Sequence, residues 1–320
     1  MRSNTVWLNL MFDKNLKSFL LEVDGSIPDG QIFKDAPLSD LSTYRVGGPA
    51  SLLIKVEDDS NFSVIVSGLV KYPLPVMVIG NGSNVLISDS GFDGLVLKLG
   101  DFFETIEIED TNVIVGAAAK LPIVARETVK FGLTGFEWAV GVPGTIGGAV
   151  RMNAGGHGSE MASSLTDATI LSLVDGSLSK LSTSELQLSY RDSCVKRTDL
   201  VINVTMQLER GDKDKSNDLI KEIVKWRRDN QPGGQNSGSV FTNPEGDSAG
   251  RLIESAGLKG LRIGSARISE KHANFIQVDE EGSAEDVRRL MSLVVEKVRE
   301  VHSVSLKPET ILLGFDCDPV

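Results

Sequence analysis

The chain is poor in the residues that staple or metallate small domains. Of its 320 residues two are cysteine, Cys194 and Cys317, and three are histidine, His157, His272 and His302. Two cysteines far apart in sequence make no disulfide framework and no zinc pattern, which fits a reducing compartment, and neither sits in a nucleophile motif. The histidines lack metal-ligand spacing, so no metal is expected. Long apolar runs are missing: no stretch reaches the ~18–20 residues of a membrane span, and no membrane partner is expected. The N-terminal MRSNTVWLNLMFDKNL has an apolar patch broken by Asn9, Asp13 and Lys14. Without a clean apolar core and a small-residue cleavage site it is a poor signal peptide, and the expected location is cytoplasmic. Basic charge is short as well, 33 Lys+Arg against 44 Asp+Glu for a net charge of −11. That argues against a nucleic-acid partner, which would call for a basic face, but leaves room for a local basic pocket. The rest is ordinary for a globular protein, 41% hydrophobic and 24% charged, in a chain long enough for two or three domains.

Against these shortages, glycine is concentrated. The stretch Gly141 to Gly156, GVPGTIGGAVRMNAGG, has six glycines in sixteen residues and no acidic residue. Glycine admits φ > 0 and close approach to the backbone, and a run of such positions can form a concave nest of N–H groups suited to a phosphate. An ordinary Gly-rich loop explains the stretch equally well. A second cluster, Gly80-Asn81-Gly82-Ser83-Asn84, is no Walker A loop, because no GxxxxGK[ST] follows, and no dinucleotide fingerprint, because Val85 stands at the third glycine position. Taken alone it reads more readily as a hairpin turn than as a phosphate loop. Upstream, TYRVGG (43–48) offers Arg45 either as a fixed cation or as a surface arginine.

The periodicity mixes strands and helices along the chain, and 101–210 reads as α+β with much antiparallel sheet. Residues 52–56 form a strand, 62–70 a helix ended by Pro73 and Pro75, and 76–79 a second strand, a βαβ unit running into GNGSN; 85–87 and 95–99 are further strands. Strands at 106–108 and 113–117 precede a helix with Pro122 in its first turn, a favoured place, ending near Gly132. Strands 170–174 and 178–181 flank Asp175-Gly176, a hairpin signal; Ser182 and Glu185 suggest a capping box; 200–208 alternates as a strand. The charged GDKDK (211–215) marks a domain boundary. Beyond it come a helix capped by Ser216 and running to Arg228, a Gly-rich loop, a helix 248–256 stopped by Gly257, a strand 273–278, and a last helix begun by Ser283 and Asp286, with Val287, Leu290, Met291, Val294, Val298 and Val301 on its apolar face.

Reactive side chains in turn-like settings occur at Arg191 (YRDS, 190–193), Ser239 (GSVF, 238–241) and Glu309 (KPE, 307–309). Each has a plain alternative: a local ion pair for Arg191, a turn hydroxyl for Ser239, a solvated carboxylate for Glu309. No Ser/His/Asp arrangement and no GxSxG elbow is present.

In order along the chain, YRVGG (44–48), GNGSN (80–84), GVPGTIGGAVRMNAGG (141–156), YRDS (190–193), GSVFTNP (238–244), SEKHANFI (269–276) and KPE (307–309) closely resemble the UDP-N-acetylenolpyruvoylglucosamine reductases, flavoenzymes of peptidoglycan precursor synthesis; the similarity spans roughly residues 35–315. The resemblance implies a two-subdomain FAD-binding module of the vanillyl-alcohol-oxidase type plus an α+β substrate-binding domain. The expected divisions are an N-terminal segment 1–34 of undefined role, FAD-binding subdomains at 35–100 and 101–211, and a substrate-binding domain at 212–320 whose last residues pack back on the first subdomain. The short spacing between YRDS and GSVF is similar to the subclass without a substrate-covering insertion. The implied catalytic set is Arg191, Ser239 and Glu309. Flavin N5 would deliver hydride to the vinyl carbon of an enolpyruvyl ether, Arg191 would hold the carboxylate where charge builds, Glu309 would act protonated or by orienting a donor, and Ser239 would donate the proton. The implied FAD contacts are Tyr44, Arg45, Gly47, Gly80, Asn81, Gly82, Ser83, Asn84, Gly141, Pro143, Gly144, Thr145, Gly147, Gly148, Ala149 and Asn153, and the substrate contacts Asn243, His272 and Arg227. Two positions depart from the family pattern: Asn230 stands where a cation is common, with Arg227 and Arg228 upstream, and His157 where a tyrosine is common. NADPH is the implied electron source, a UDP-sugar the implied substrate and a monomer the expected state. The alternatives are another flavin oxidase or dehydrogenase of the superfamily acting on an alcohol or sugar, and a flavin-binding scaffold without chemistry.

Overall fold

The computed structural model describes residues 2–315, with side chains from residue 11 onward, so Cys317 lies outside the described residues. The first layer is a four-stranded sheet in the order Ile32–Pro37, Pro49–Val56, Phe92–Leu99, Val76–Val78. The first pair is antiparallel and the other two are parallel. The helix Asn61–Lys71 makes the crossover, as its 3.6-residue apolar spacing predicts. An N-terminal helix, Arg2–Val23, backs it and buries Phe19 and Val23 in the same core. The two helices approach closely at Gly68, where a Cβ would lie 2.8 Å from the Phe19 ring. Leu16, Phe19, Leu20 and Val23 follow the spacing of an amphipathic helix, so this element, left unread above, did carry a signal.

The second layer is a five-stranded antiparallel sheet, Leu178–Ser182, Leu165–Ser172, Asp199–Gln207, Asn112–Gly116, Ile106–Glu109. Helices Leu121–Lys130 and Ile146–Arg151 contribute to its core. Helix Lys213–Asn230 leads to the third region, where Arg262–Ile263, Ala266–Ile268 and Ile276–Val278 form a small antiparallel sheet with helices Ala249–Ser255 and Ala284–His302 in one core. Strands of two or three residues are too short to show a period, and only the last of these three was anticipated.

Four local expectations are corrected. Val85–Ile87 does not turn back across GNGSN onto Val76–Val78, which pairs in parallel with Phe92–Leu99; it leaves the sheet and pairs in parallel with Ile311–Leu313 near the other end of the chain. GNGSN is therefore not a hairpin turn. The 213–230 helix is capped by Asp212, whose Oδ1 accepts from Asp214 N and Lys215 N, because Asp212 is the last residue with extended backbone. Ser216 lies inside the helix and donates to Glu137 Oε1 at 2.5 Å. Ser182 and Glu185 do make reciprocal capping contacts, but across a turn rather than at a helix start. Val301, expected on the buried face of the last helix, is exposed.

Glu137 ties the third region's leading helix to the second layer. Its carboxylate is buried and accepts from Ser216, from Thr134 Oγ1 at 2.7 Å and from Gly135 N at 2.8 Å. Burial alone would raise its pKa, and these donors more than offset it and hold the carboxyl below the usual range. A depressed native pKa contributes stability above the unfolded value that is lost as acid titrates the native group. Glu137→Gln should therefore destabilise by about 1–3 kcal/mol at neutral pH. In urea unfolding the gap to the wild type should narrow as the pH falls below 4.5, the ordinary value; a gap unchanged by acid would refute the assignment.

Candidate active site

All three regions open onto one cleft of about 950 Å³. Its floor is made by the two glycine clusters. The backbone N–H groups of Gly80 through Asn84 have no acceptor among the described residues; Gly82 is buried, Gly80, Ser83 and Asn84 are half-buried and Asn81 is exposed. Five consecutive free donors form a ready anion cradle. Two of the glycines leave no room for a side chain: a Cβ on Gly80 would lie 2.4 Å from Thr145 Oγ1 of the facing loop, and one on Gly82, at φ 58°, 1.8 Å from the Leu41 carbonyl. Asn81 Nδ2 donates to Pro143 O at 3.0 Å, and Lys98 Nζ to Gly80 O at 2.7 Å. Burial pushes the Lys98 ammonium pKa down, with Lys120 and Lys55 adding to the effect. Lys98 was not anticipated; nothing in the sequence links it to a loop 18 residues away. The cradle, free of carboxylates and closed to side chains at Gly80 and Gly82, fits a dinucleotide pyrophosphate.

Of the positions expected to meet the cofactor, Gly80, Asn81, Gly82, Ser83, Asn84, Gly141, Pro143, Gly144, Thr145, Gly147, Gly148 and Ala149 line the cleft. Tyr44, Arg45, Gly47 and Asn153 are not among its lining residues. Tyr44 is fully buried beside Val240 and Phe241, and burial pushes its phenol up to about 12. Arg45 is exposed. Gly47 is packed against Ile87, where a Cβ would come within 2.7 Å. Asn153 is fully buried, with Nδ2 donating to Ser189 O and Oδ1 accepting from Ala162 N. Tyr44, Gly47 and Asn153 support the walls from behind.

Arg191, Ser239 and Glu309, distant in sequence, all face the cleft. Arg191 Nε lies 3.1 Å from Glu309 Oε1. Its terminal nitrogens donate to the Asn153 and Gly155 carbonyls at 3.4 and 2.9 Å, and its guanidinium lies 5.0 Å from the Tyr190 ring centre. Of five N–H donors, this leaves one on each terminal nitrogen. Arg191 is held in the left-handed region, φ 58°, a strain of order 1–3 kcal/mol that persists where surrounding contacts over-determine it. Burial raises the Glu309 pKa, and Arg191 opposes the rise. The Ser239 hydroxyl makes no hydrogen bond among the described residues.

Asn274, in the SEKHANFI motif but not singled out, builds this corner. Its side chain accepts from Phe241 N at 3.0 Å and donates to Phe241 O at 2.8 Å, while its carbonyl accepts from Val240 N. Asn243 lines the cleft and accepts from Ala249 N. His272 is not a lining residue; it packs on Phe275 with Nδ1 accepting from Asn274 N. Arg227 lines the cleft with Nε donating to Gln231, and Asn230, in the place of the familiar cation, donates back to the Trp226 carbonyl. Trp226 and His157, edge to face at 5.0 Å, also line the cleft.

Residues 50–182 match the FAD binding domain, and residues 230–313 match the UDP-N-acetylenolpyruvoylglucosamine reductase C-terminal domain. The UDP-N-acetylenolpyruvoylglucosamine reductase of Bacillus pumilus is 36% identical over 304 residues, 94% of this chain and 99% of that protein. The chain belongs to the UDP-N-acetylenolpyruvoylglucosamine reductase family. A relative of the same name from Synechococcus sp. is 42% identical over 90% of this chain and 94% of its own length. The crystal structure of the Thermus caldophilus reductase superposes with a TM-score of 0.74 at 35% identity, covering 87% of this chain and 97% of that one. The α+β fold with its FAD-binding module is thus that of the family.

Asn274→Ala would strip Phe241 of a donor and an acceptor at a buried position. The expected cost is about 2–6 kcal/mol, one to three for each orphaned group, read as a lowered thermal midpoint. A variant as stable as the wild type would show that Asn274 does not hold the loop.

Proposed function

We propose that this chain is a UDP-N-acetylmuramate dehydrogenase that reduces UDP-N-acetylglucosamine enolpyruvate with electrons from NADPH. One observation carries the reading: an arginine with two free N–H groups, a half-buried carboxyl group and an unbonded hydroxyl line the cleft that begins at the anion cradle. The cradle at 80–84, with the 141–149 loop, would hold the FAD pyrophosphate. Bound FAD supplies the two-electron reduction of the substrate double bond.

The chain's own residues handle the charge that this reduction creates. Electron density moves onto the carbon next to the substrate carboxylate and onto the carboxylate itself. The two free N–H groups of Arg191 form a planar fork that grips that carboxylate and opposes the developing charge. Glu309 takes the third edge of the guanidinium at Nε, and the Asn153 and Gly155 carbonyls fix its plane. The arginine therefore needs little reorganisation as charge grows. Ser239 donates the proton; a hydroxyl is a weak acid, but the carbon it faces is a strong base at that moment. Arg227 and Asn243 contact the UDP-sugar. A flavin oxidase acting on an alcohol or sugar would share the cradle but has no use for this trio.

Two measurements test the reading. Flavin reduced by NADPH should reoxidise rapidly on anaerobic addition of UDP-N-acetylglucosamine enolpyruvate, whereas reoxidation by oxygen alone would point to an oxidase. Ser239→Ala should slow that step about 10²–10⁴-fold and leave flavin reduction by NADPH largely intact. Equal loss in both half-reactions would remove Ser239 as a specific donor.

A further inference from the structure

A second group of cations lines the cleft and has no part in the steps above. Arg151 ends the helix Ile146–Arg151, and Lys196 and Arg197 lie on the loop that carries Arg191. All three line the cleft. None of their side chains makes an ion pair or a hydrogen bond with a described residue, unlike Arg191. Arg151 is half-buried, and burial and the nearby Arg197 both press its pKa down, partly offset by Asp199. Asp199 is itself committed to the loop, accepting from Lys196 N at 2.8 Å. The backbone there is pinned: Ser193 Oγ donates to Arg151 O at 2.7 Å and accepts from Val195 N at 3.2 Å. In a chain of net charge −11, a half-buried arginine beside an exposed Lys-Arg pair on a pinned scaffold gives this cleft a local positive wall suited to an anion.

The nature of that anion follows from the phosphates the reaction brings in. Under the reading above, the FAD pyrophosphate goes to the cradle at 80–84 and the UDP-sugar to Arg227 and Asn243. NADPH visits the same cleft and carries one phosphate with no counterpart in either ligand, the monoester on its adenosine ribose. A dianionic monoester suits several converging cations better than a backbone nest. We propose that Arg151, Lys196 and Arg197 bind the 2′-phosphate of NADPH and so select it over NADH; the assignment rests on the NADPH-dependent reading above.

Calorimetric titration of the FAD-loaded protein with 2′,5′-ADP and with 5′-AMP tests the site without turnover. The expected result is tighter binding of 2′,5′-ADP by about tenfold to a hundredfold, the range for one or two charge-assisted contacts, shrinking with added salt. Arg151→Gln with Arg197→Gln should abolish the preference and leave 5′-AMP binding and FAD content unchanged. The single variants Lys196→Gln and Arg197→Gln, both at exposed positions, should each lower it. No preference in the wild type, a preference that survives in the double variant, or loss of FAD from it would each overturn the assignment; the last would give the cations to the flavin's own phosphates. In steady state, kcat/KM for NADPH should fall in the variants toward the NADH value with the KM for enolpyruvyl substrate unchanged. A wild type that reduces the substrate equally well with NADH and NADPH overturns this inference and spares the functional reading. A wild type that ignores the substrate defeats that reading, while the 2′,5′-ADP comparison still decides the site.

Discussion

Three residues near the C-terminus, Ile311–Leu313, lie in parallel against Val85–Ile87, and the geometry of the cleft depends on that pairing. Asn84, the last residue of the anion cradle, sits at the join: its carbonyl accepts from Ile311 N, and its side chain donates to the Glu309 carbonyl at 3.0 Å. Glu309 N in turn donates to Val240 O, next to Ser239. One short ladder thus connects the cradle, the carboxyl group and the hydroxyl. Tyr44, Val46 and Leu86 from the first layer join Val240, Phe241 and Leu312 in one apolar cluster behind it. Burial of these groups drives the closure, and the hydrogen bonds set its register.

The second layer brings Arg191 to this ladder at a conformational cost. Arg191 has positive φ, as do Asn153 and His157 at 38° and 54°. For non-glycine residues such backbone is uncommon, and at Arg191 it persists because the surrounding contacts hold it. The Arg191–Glu309 pair is only partly exposed, with side-chain accessibilities of 20% and 17%. In that setting the pair is worth more as a fixed orientation than as stability.

Much of the secondary structure and the order of the motifs could be read directly. The periodic stretches 61–71, 121–130 and 284–302, the hairpin at Asp175-Gly176 and the Ser283 cap are local patterns, and local patterns depend on spacing and on turn chemistry within a few residues. The misreadings arise where a distant partner outcompetes the local pattern. Ser216 looks like a cap until the Glu137 carboxylate takes its hydroxyl. GNGSN looks like a hairpin until the next strand finds Ile311–Leu313. Lys98 and Asn274 carry no motif of their own; their importance comes from the carbonyls they reach.

The sequence by itself determined the α+β class, the glycine-rich loops and the ordered family motifs in which Arg191, Ser239 and Glu309 stand, since these rest on residue type and short-range spacing. Only the tertiary structure decided that Arg191 and Glu309 pair, that Tyr44, Gly47 and Asn153 stand behind the wall instead of in it, and that Arg151 and Arg197 share one side of the cleft. Such contacts join groups tens to hundreds of residues apart. They are chosen by how apolar surface is buried across three layers, a global property that no local window of sequence contains.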